Sequence, residues 1–369
     1  MRGSVQPTPL IALLSQALVA FTIEADNVFE ERMPHRTAAD RGNPAATGPW
    51  LTSLTYWANY LRRMPDEGIT ARDLARGAGD DAASIKSRLD ELRRWRYVTL
   101  KPDGTDVGAT IVIPTENGRR ARDTWAPIDE LVTGRWRERF SAATDDLLRL
   151  VAGAPADLPA GFPITAWSRT TRTRTIPAPS TSGASTIGAP TTGLPATGLY
   201  SGLARTVLAL AREFDAGEGL SLAVTLDFAR IVPTDGAPVR ELPLLAGVSK
   251  EAIAIQVGRL ESAGHGAVVR DSAGTKRFAL TSDGIEERDA ARARLDAHEA
   301  RWAATSGPLR DALTGIVGDR MSGGLHPPTT GWRATGPYRA QTAAIVADPA
   351  AALPWFPMVS HRGGYPDGF

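Results

Sequence analysis

The sequence predicts a mainly α-helical protein with small β-hairpins, built as one unit written twice along the chain. Three observations carry that expectation. Two long stretches superpose in register at one offset, both show helix-period apolar patterns followed by a hairpin signal, and a Pro-, Ser-, Thr- and Gly-rich segment separates them. An offset of 168 sets Ser53 and Leu54 on Ser221 and Leu222, Arg62 on Arg230, Pro65 on Pro233 and Gly68 on Gly236. The same offset sets Arg72 on Arg240, Leu74 on Leu242, Gly79 on Gly247, and Ile85, Leu89 and Leu92 on Ile253, Val257 and Leu260. An offset of 166 then aligns Thr115, Gly118, Trp136, Leu147 and Val151 with Thr281, Gly284, Trp302, Leu313 and Val317. Upstream, Val19, Phe21, Glu24 and Asp26 meet Leu208, Leu210, Glu213 and Asp215 at 189. We therefore expect a first domain over 1–152, a linker over 153–198, a second domain over 199–318, and a C-terminal tail over 319–369.

Each copy opens with a helix, about Leu10 to Glu31 and Ser201 to Phe214, and a second follows, about Trp50 to Arg63 and Leu220 to Ile231. The turns Pro65 to Gly68 and Pro233 to Gly236 end the second helices. Short helices come next, Ala71 to Arg76 and Val239 to Leu245, and Thr70 and Asp73 stand at capping-box spacing before the first of them. Gly79 and Gly247 make tight turns, and Asp80 or Asp81, and Ser249, are the N-caps expected for a further helix. Its apolar positions recur at i, i+4 and i+7, so one face is core and the other meets solvent or a ligand. Strand-like runs follow, Tyr97 to Lys101 and Ala109 to Pro114 around Asp103-Gly104, then Ala267 to Arg270 and Arg277 to Leu280 around Gly274. A long helix closes each copy. Helix, helix, turn, helix, hairpin is a winged helix-turn-helix, so the expected architecture is two such domains in tandem forming an intramolecular pseudo-dimer. The tail, with Trp332, Trp355, Phe356 and Tyr365 and one helix over about Pro337 to Leu353, is expected to pack back on the body.

This order of elements, with Thr115-Glu-Asn-Gly118 and Thr281-Ser-Asp-Gly284 after each wing, resembles the MarR family over most of the chain outside linker and tail. The resemblance implies pairing through first and last helices, and a transcriptional regulator that binds double-stranded DNA. It also implies a small aromatic effector, held between the dimer helices and the DNA-binding lobes. On the first copy's third helix the candidate DNA contacts are Ser87 and Arg94 on the outward face, Lys86 flanking it and Arg88 near its edge, with Lys101 at the wing. In the second copy they are Lys250, Gln256 and Arg259, with Arg270, Lys276 and Arg277 around the wing tip, where the family pattern places a minor-groove arginine. That helix also turns Glu251 and Ile255 outward, and the first wing departs from the family pattern in having only Lys101 beside the acidic Asp103 and Asp106, so symmetric DNA binding is not expected. Arg169, Arg172 and Arg174 in the linker are solvated charge or added phosphate contacts. Phe21, Trp50, Tyr56, Trp57 and Tyr60 are the residues expected to line an effector cavity, or else to pack as plain core.

Composition bounds these readings. The net charge of +1 gives no global pull toward nucleic acid, so any DNA-binding field is local. That balance and Ile255 keep an alternative open, a winged-helix protein-interaction scaffold that has lost DNA binding. Without cysteine there is no disulfide or thiolate metal site, and a cytoplasmic setting is expected. His35, His265, His298, His326 and His361 form no pair at metal-ligand spacing, and no phosphate loop or nucleophile elbow appears. No cofactor, metal or enzymatic activity is therefore expected. The apolar run Pro9 to Ile23 is too short to span a bilayer, so it reads as the first helix of a soluble domain, and no membrane partner is expected.

Overall fold

A computed structural model describes residues 8–33, 36, 48–80, 82–104, 106, 108–156, 158–159, 198–336 and 339–357. The fold is mainly helical, with two small antiparallel sheets of three strands each. In the first half the order is α1 (Leu10–Arg32), α2 (Leu54–Asn59), β1 (Ile69–Thr70), α3 (Ala71–Ala78), α4 (Ala82–Arg94), β2 (Val98–Pro102), β3 (Thr110–Pro114), α5 (Glu116–Trp125), α6 (Ile128–Phe140) and α7 (Ala142–Val151). The second half repeats it as α8 (Leu199–Asp215), α9 (Leu222–Val224), β4 (Ala237–Pro238), α10 (Leu242–Ala246), α11 (Lys250–Ser262), β5 (Gly266–Arg270), β6 (Lys276–Leu280), α12 (Ser282–Thr305) and α13 (Gly307–Val317). Strands β1 and β4, two residues each, were not legible beforehand. They complete the sheets β1-β3-β2 and β4-β6-β5, pairing Ile69 with Val112 and Ala237 with Phe278.

The repeat reaches individual hydrogen bonds. Trp136 donates its indole N–H to Glu24, as Trp302 does to Glu213, each at 3.1 Å. Asp26 accepts from the amide of Leu54, as Asp215 does from Leu222, each at 2.7 Å. Arg122 bonds the carbonyl of Met64, and Arg288 that of Val232. Thr115 and Thr281 cap the helices after the hairpins by accepting from Gly118 and Gly284, both at 3.1 Å. Glycine is required there, because an added Cβ would strike the carbonyl oxygens of Tyr97 and His265.

Differences between the halves have local causes. The expected second helix of the first half starts only at Leu54, since Ser53 caps it and Asp26 takes the Leu54 amide, and it tightens into a 3-10 turn at Leu61–Arg63. Its counterpart is the short α9 followed by a π-helical turn, Thr225–Ala229, in which the Thr225 hydroxyl bonds back to the Ser221 carbonyl. The long closing helix is continuous only in the second half, as α12. In the first half Pro127, which lacks an amide hydrogen, separates α5 from α6, and its counterpart in α12 is Ala293.

The halves meet through four helices. First helix α1 packs on α8 and α13, while α7 packs on α13 and α8, which is the pattern a two-fold axis would generate. Helix α1 is long and apolar enough, by length and composition alone, to cross a bilayer, yet its apolar window is wholly buried inside the protein. The joint is also polar. Leu10 at the start of α1 donates to Glu299 of α12 at 2.8 Å, and Tyr200 at the start of α8 donates to Asp129 of α6 at 3.5 Å. Each half thus supplies a carboxylate to the other half's first helix, where unpaired amides and the helix dipole favour a negative charge.

The tail carries two short helices, α14 (Trp332–Thr335) and α15 (Arg339–Ala347), where one was expected. Its first part lies on the acidic end of α1. There His326 and Arg333 donate their amides to Glu24 and Glu30, and the buried Arg333 guanidinium sits 3.6 Å from Glu30. Its later part reaches the second half, where Phe356 donates to Asp227 and Trp355 stacks on Arg230. Arg169, Arg172, Arg174, Asp81 and Tyr365 lie outside the described residues.

Candidate nucleic-acid interface

Helices α3 and α4 with the β2–β3 hairpin form the more basic surface. Thr70 caps α3 by accepting the Asp73 amide, and Gly79, in the left-handed region at φ 71°, makes the turn into α4. Ile85, Leu89 and Leu92 bury one face of α4, leaving Lys86, Ser87, Arg93 and Arg94 exposed. Lys86 and Arg93 both reach Asp90, at 3.3 and 3.1 Å. Such exposed pairs contribute about 0–1 kcal/mol, so a phosphate can displace the carboxylate at little cost. Lys101 is exposed on β2. Arg72 and Arg76 of α3 add two exposed guanidiniums, and Arg72 approaches Asp106 of the hairpin loop at 4.0 Å, which places α3 beside the wing side of the sheet. The sequence reading passed over Arg72 and Arg76 as contacts; their spacing of four on a short helix was the available signal.

Arg88 belongs elsewhere. It is half-buried, and its guanidinium donates to the Tyr56 hydroxyl at 3.2 Å, while that hydroxyl donates to Glu91 at 2.6 Å. The position explains it: Arg88 is three residues after Ile85 and one before Leu89, inside the apolar stripe rather than opposite it. Gln256 occupies the equivalent place between Ile253 and Val257 on α11 and is fully buried, so it cannot reach a base edge. Arg259 is half-buried, and burial lowers its pKa. Ile255, expected to face outward, is only partly exposed and packs on the core.

What α11 presents to solvent is Lys250, Glu251, Ala254, Gly258, Glu261 and Ser262. Two acids and two residues with little or no side chain are a poor match to phosphates and base edges. The second hairpin keeps Arg270 and Lys276 exposed, with Arg270 bonded to the Gly274 carbonyl at its own turn. Arg277 is half-buried and holds the Gly236 carbonyl at 2.9 Å, so it braces β4.

No protein-family model and no curated protein matches this sequence.

The five aromatic residues expected around an effector are spread over separate packings. Phe21 meets Trp136 edge-on at 5.4 Å and Tyr200 at 6.2 Å, in the joint between the halves. Trp57 stacks on Trp125, which stacks on Phe29. Tyr56 meets Trp95 edge-on, and Tyr60 donates to Asp80 at the turn into α4, with burial and then Asp80 pushing its pKa well above the usual value. Trp50 is half-buried, and its carbonyl accepts from the Tyr97 hydroxyl. These rings fill core and, through Tyr56 and Tyr60, fix the seat of α4. A small apolar cavity does exist in the second half, lined by Phe228, Ala229, Val232, Leu260 and His265. It arises where the first half has the larger Leu61, Met64 and Tyr97 at the matching places. Its room for about one water molecule is too little for an aromatic ring.

Proposed function

We propose that this protein is a DNA-binding transcriptional regulator of MarR type, a tandem winged helix-turn-helix chain that acts as its own pseudo-dimer and reads duplex DNA chiefly through its first head. The observation that carries the reading is the exposed set Arg72, Arg76, Lys86, Ser87, Arg94 and Lys101 on α3, α4 and the first hairpin. Helix α4 would lie in the major groove, with Lys86, Ser87 and Arg94 toward base edges and phosphates and Lys101 on the flanking backbone. The second head supplies Arg270, Lys276 and Lys250 for phosphate contact alone. No effector is part of the proposal, because the rings expected to hold one are packed on each other.

Fluorescence polarisation with genomic fragments, repeated across salt, tests this. Binding should weaken steeply as salt rises, since each neutralised phosphate releases counterions. Lys86→Ala and Arg94→Ala should each weaken binding by about 1–3 kcal/mol if they touch bases, or lower the salt slope by about one if they touch phosphate. A chain that binds no fragment at low salt would instead be a winged-helix scaffold for a protein partner.

A further inference from the structure

The large apolar side chains most exposed among the described residues all fall in the second half. Leu244 is 68% exposed, Leu245 50% and Val269 45%. At the offset of 168, Leu244 stands where the first half has Arg76, and Val269 where it has Lys101. Two cations of the basic surface have thus become hydrocarbon in its twin. Between them α11 turns outward Ala254 and Gly258, which leave the helix surface low. Nothing lies within 4 Å of where a Cβ on Gly258 would be.

The charges around this surface come as neighbours of opposite sign. Arg240 and Glu241 are both exposed and 3.7 Å apart, and Lys250 and Glu251 are both exposed at the start of α11. Around Val269 the exposed Arg270 and Lys276 are matched by Glu261 and Asp271, so the rim has almost no net charge and a two-fold operation can set acid against base without repulsion. The first half's surface cannot do this. Arg72, Arg76, Lys86, Arg93, Arg94 and Lys101 outnumber Asp73, Asp90 and Asp106 there, and two such faces repel.

We propose that the face formed by Leu244, Leu245 and Val269 is an isologous interface for a second copy of this chain. Pairing there leaves both first halves free, and it covers the surface that carries Lys250, Arg270 and Lys276, so the phosphate contacts of the second head belong to the unpaired chain. Two copies would then offer the two basic surfaces that one chain, with its unequal halves, lacks. The pairing rests on the apolar face and its rim and does not depend on DNA binding.

Size-exclusion chromatography with light scattering on the full chain, without DNA, is the test. The mass expected is about twice the 39.2 kDa of one chain. The double variant Leu244→Glu with Leu245→Glu should return it to one chain, with the far-ultraviolet circular dichroism unchanged. Leu244→Arg with Val269→Lys, which installs the residues of the first half, should do the same if the glutamates perturb the fold. Arg76→Glu, at the equivalent position of the first half, should leave the doubled mass intact. A wild-type mass of one chain at every concentration, or a doubled mass that survives both double variants, overturns the proposal. DNA binding is measured separately, so failure of the pairing and failure of the regulator reading are told apart.

Discussion

Asp26 shows how one buried side chain serves geometry at an electrostatic cost. Its carboxylate accepts from the Leu54 amide at 2.7 Å and the Ser53 hydroxyl at 2.9 Å, starting α2 where it starts. Burial raises its pKa from 3.8 to about 6, although Arg333 pulls the other way. A carboxyl whose folded pKa lies above its unfolded one contributes stability at low pH and loses it as pH rises through the folded value. The two pKa values bound the window, about 4 to 6, and their separation is worth about 3 kcal/mol. Urea midpoints should therefore fall between pH 4 and pH 7. Asp26→Asn, which keeps an acceptor for Leu54, should flatten that fall and be the more stable chain at pH 7.5. An unchanged pH profile in this variant would show that Asp26 does not ionise as described. Arg88 and Gln256 teach a different lesson at this scale. Both are polar residues at the i+3 place of an apolar stripe, and counting i, i+4 and i+7 alone passes over that place.

At the scale of elements, the exchanged carboxylates deserve a direct test because they tie the halves without relying on area. Glu299 and Asp129 each take up amides at the start of the other half's first helix, and burial raises the pKa of both. Asp129→Ala and Glu299→Ala should each cost about 1 kcal/mol, the usual loss of an N-cap. Combined, they should sum, since the two sites cap different helices and share no partner. Denaturant titration of the two single variants and the double would show it. Helix periodicity located α1 and α8 within a residue or two, and Ser249 is the N-cap of α11 as read. It missed β1 and β4, because two-residue strands carry no period and exist only by pairing with β3 and β6. It also joined α5 to α6, against the plain signal of Pro127.

At the scale of the whole molecule, the tail belts the body from one half to the other. It begins on Glu24, Glu30 and Glu31 of α1 and ends on Asp227 and Arg230. Arg333, 3% exposed at its side chain, is the partner 3.6 Å from the buried Glu30 carboxylate. Arg333→Met should cost about 3–5 kcal/mol by removing the guanidinium beside that buried carboxylate. Adding Glu30→Gln to it should recover most of the loss, as read by the thermal midpoint of each chain. If Arg333→Met is neutral, the belt is not anchored there.

Taken alone, the amino-acid order determined the duplication and most of the elements. Turn glycines, caps and apolar periods act within a few residues, and both copies carry them at offsets of 168 and 166. Offsets of 189 and 166 align Glu24 with Glu213 and Trp136 with Trp302, but that each tryptophan bonds its glutamate is seen only in the structure. Only the tertiary structure decided what the rings of Phe21, Tyr56, Trp57 and Tyr60 do and how the carboxylates are exchanged. It alone decided that Arg277 braces a strand while Leu244 stays bare. Each of those outcomes depends on partners far away in the chain. A local pattern says that a side chain is buried or polar, but not which distant group it meets.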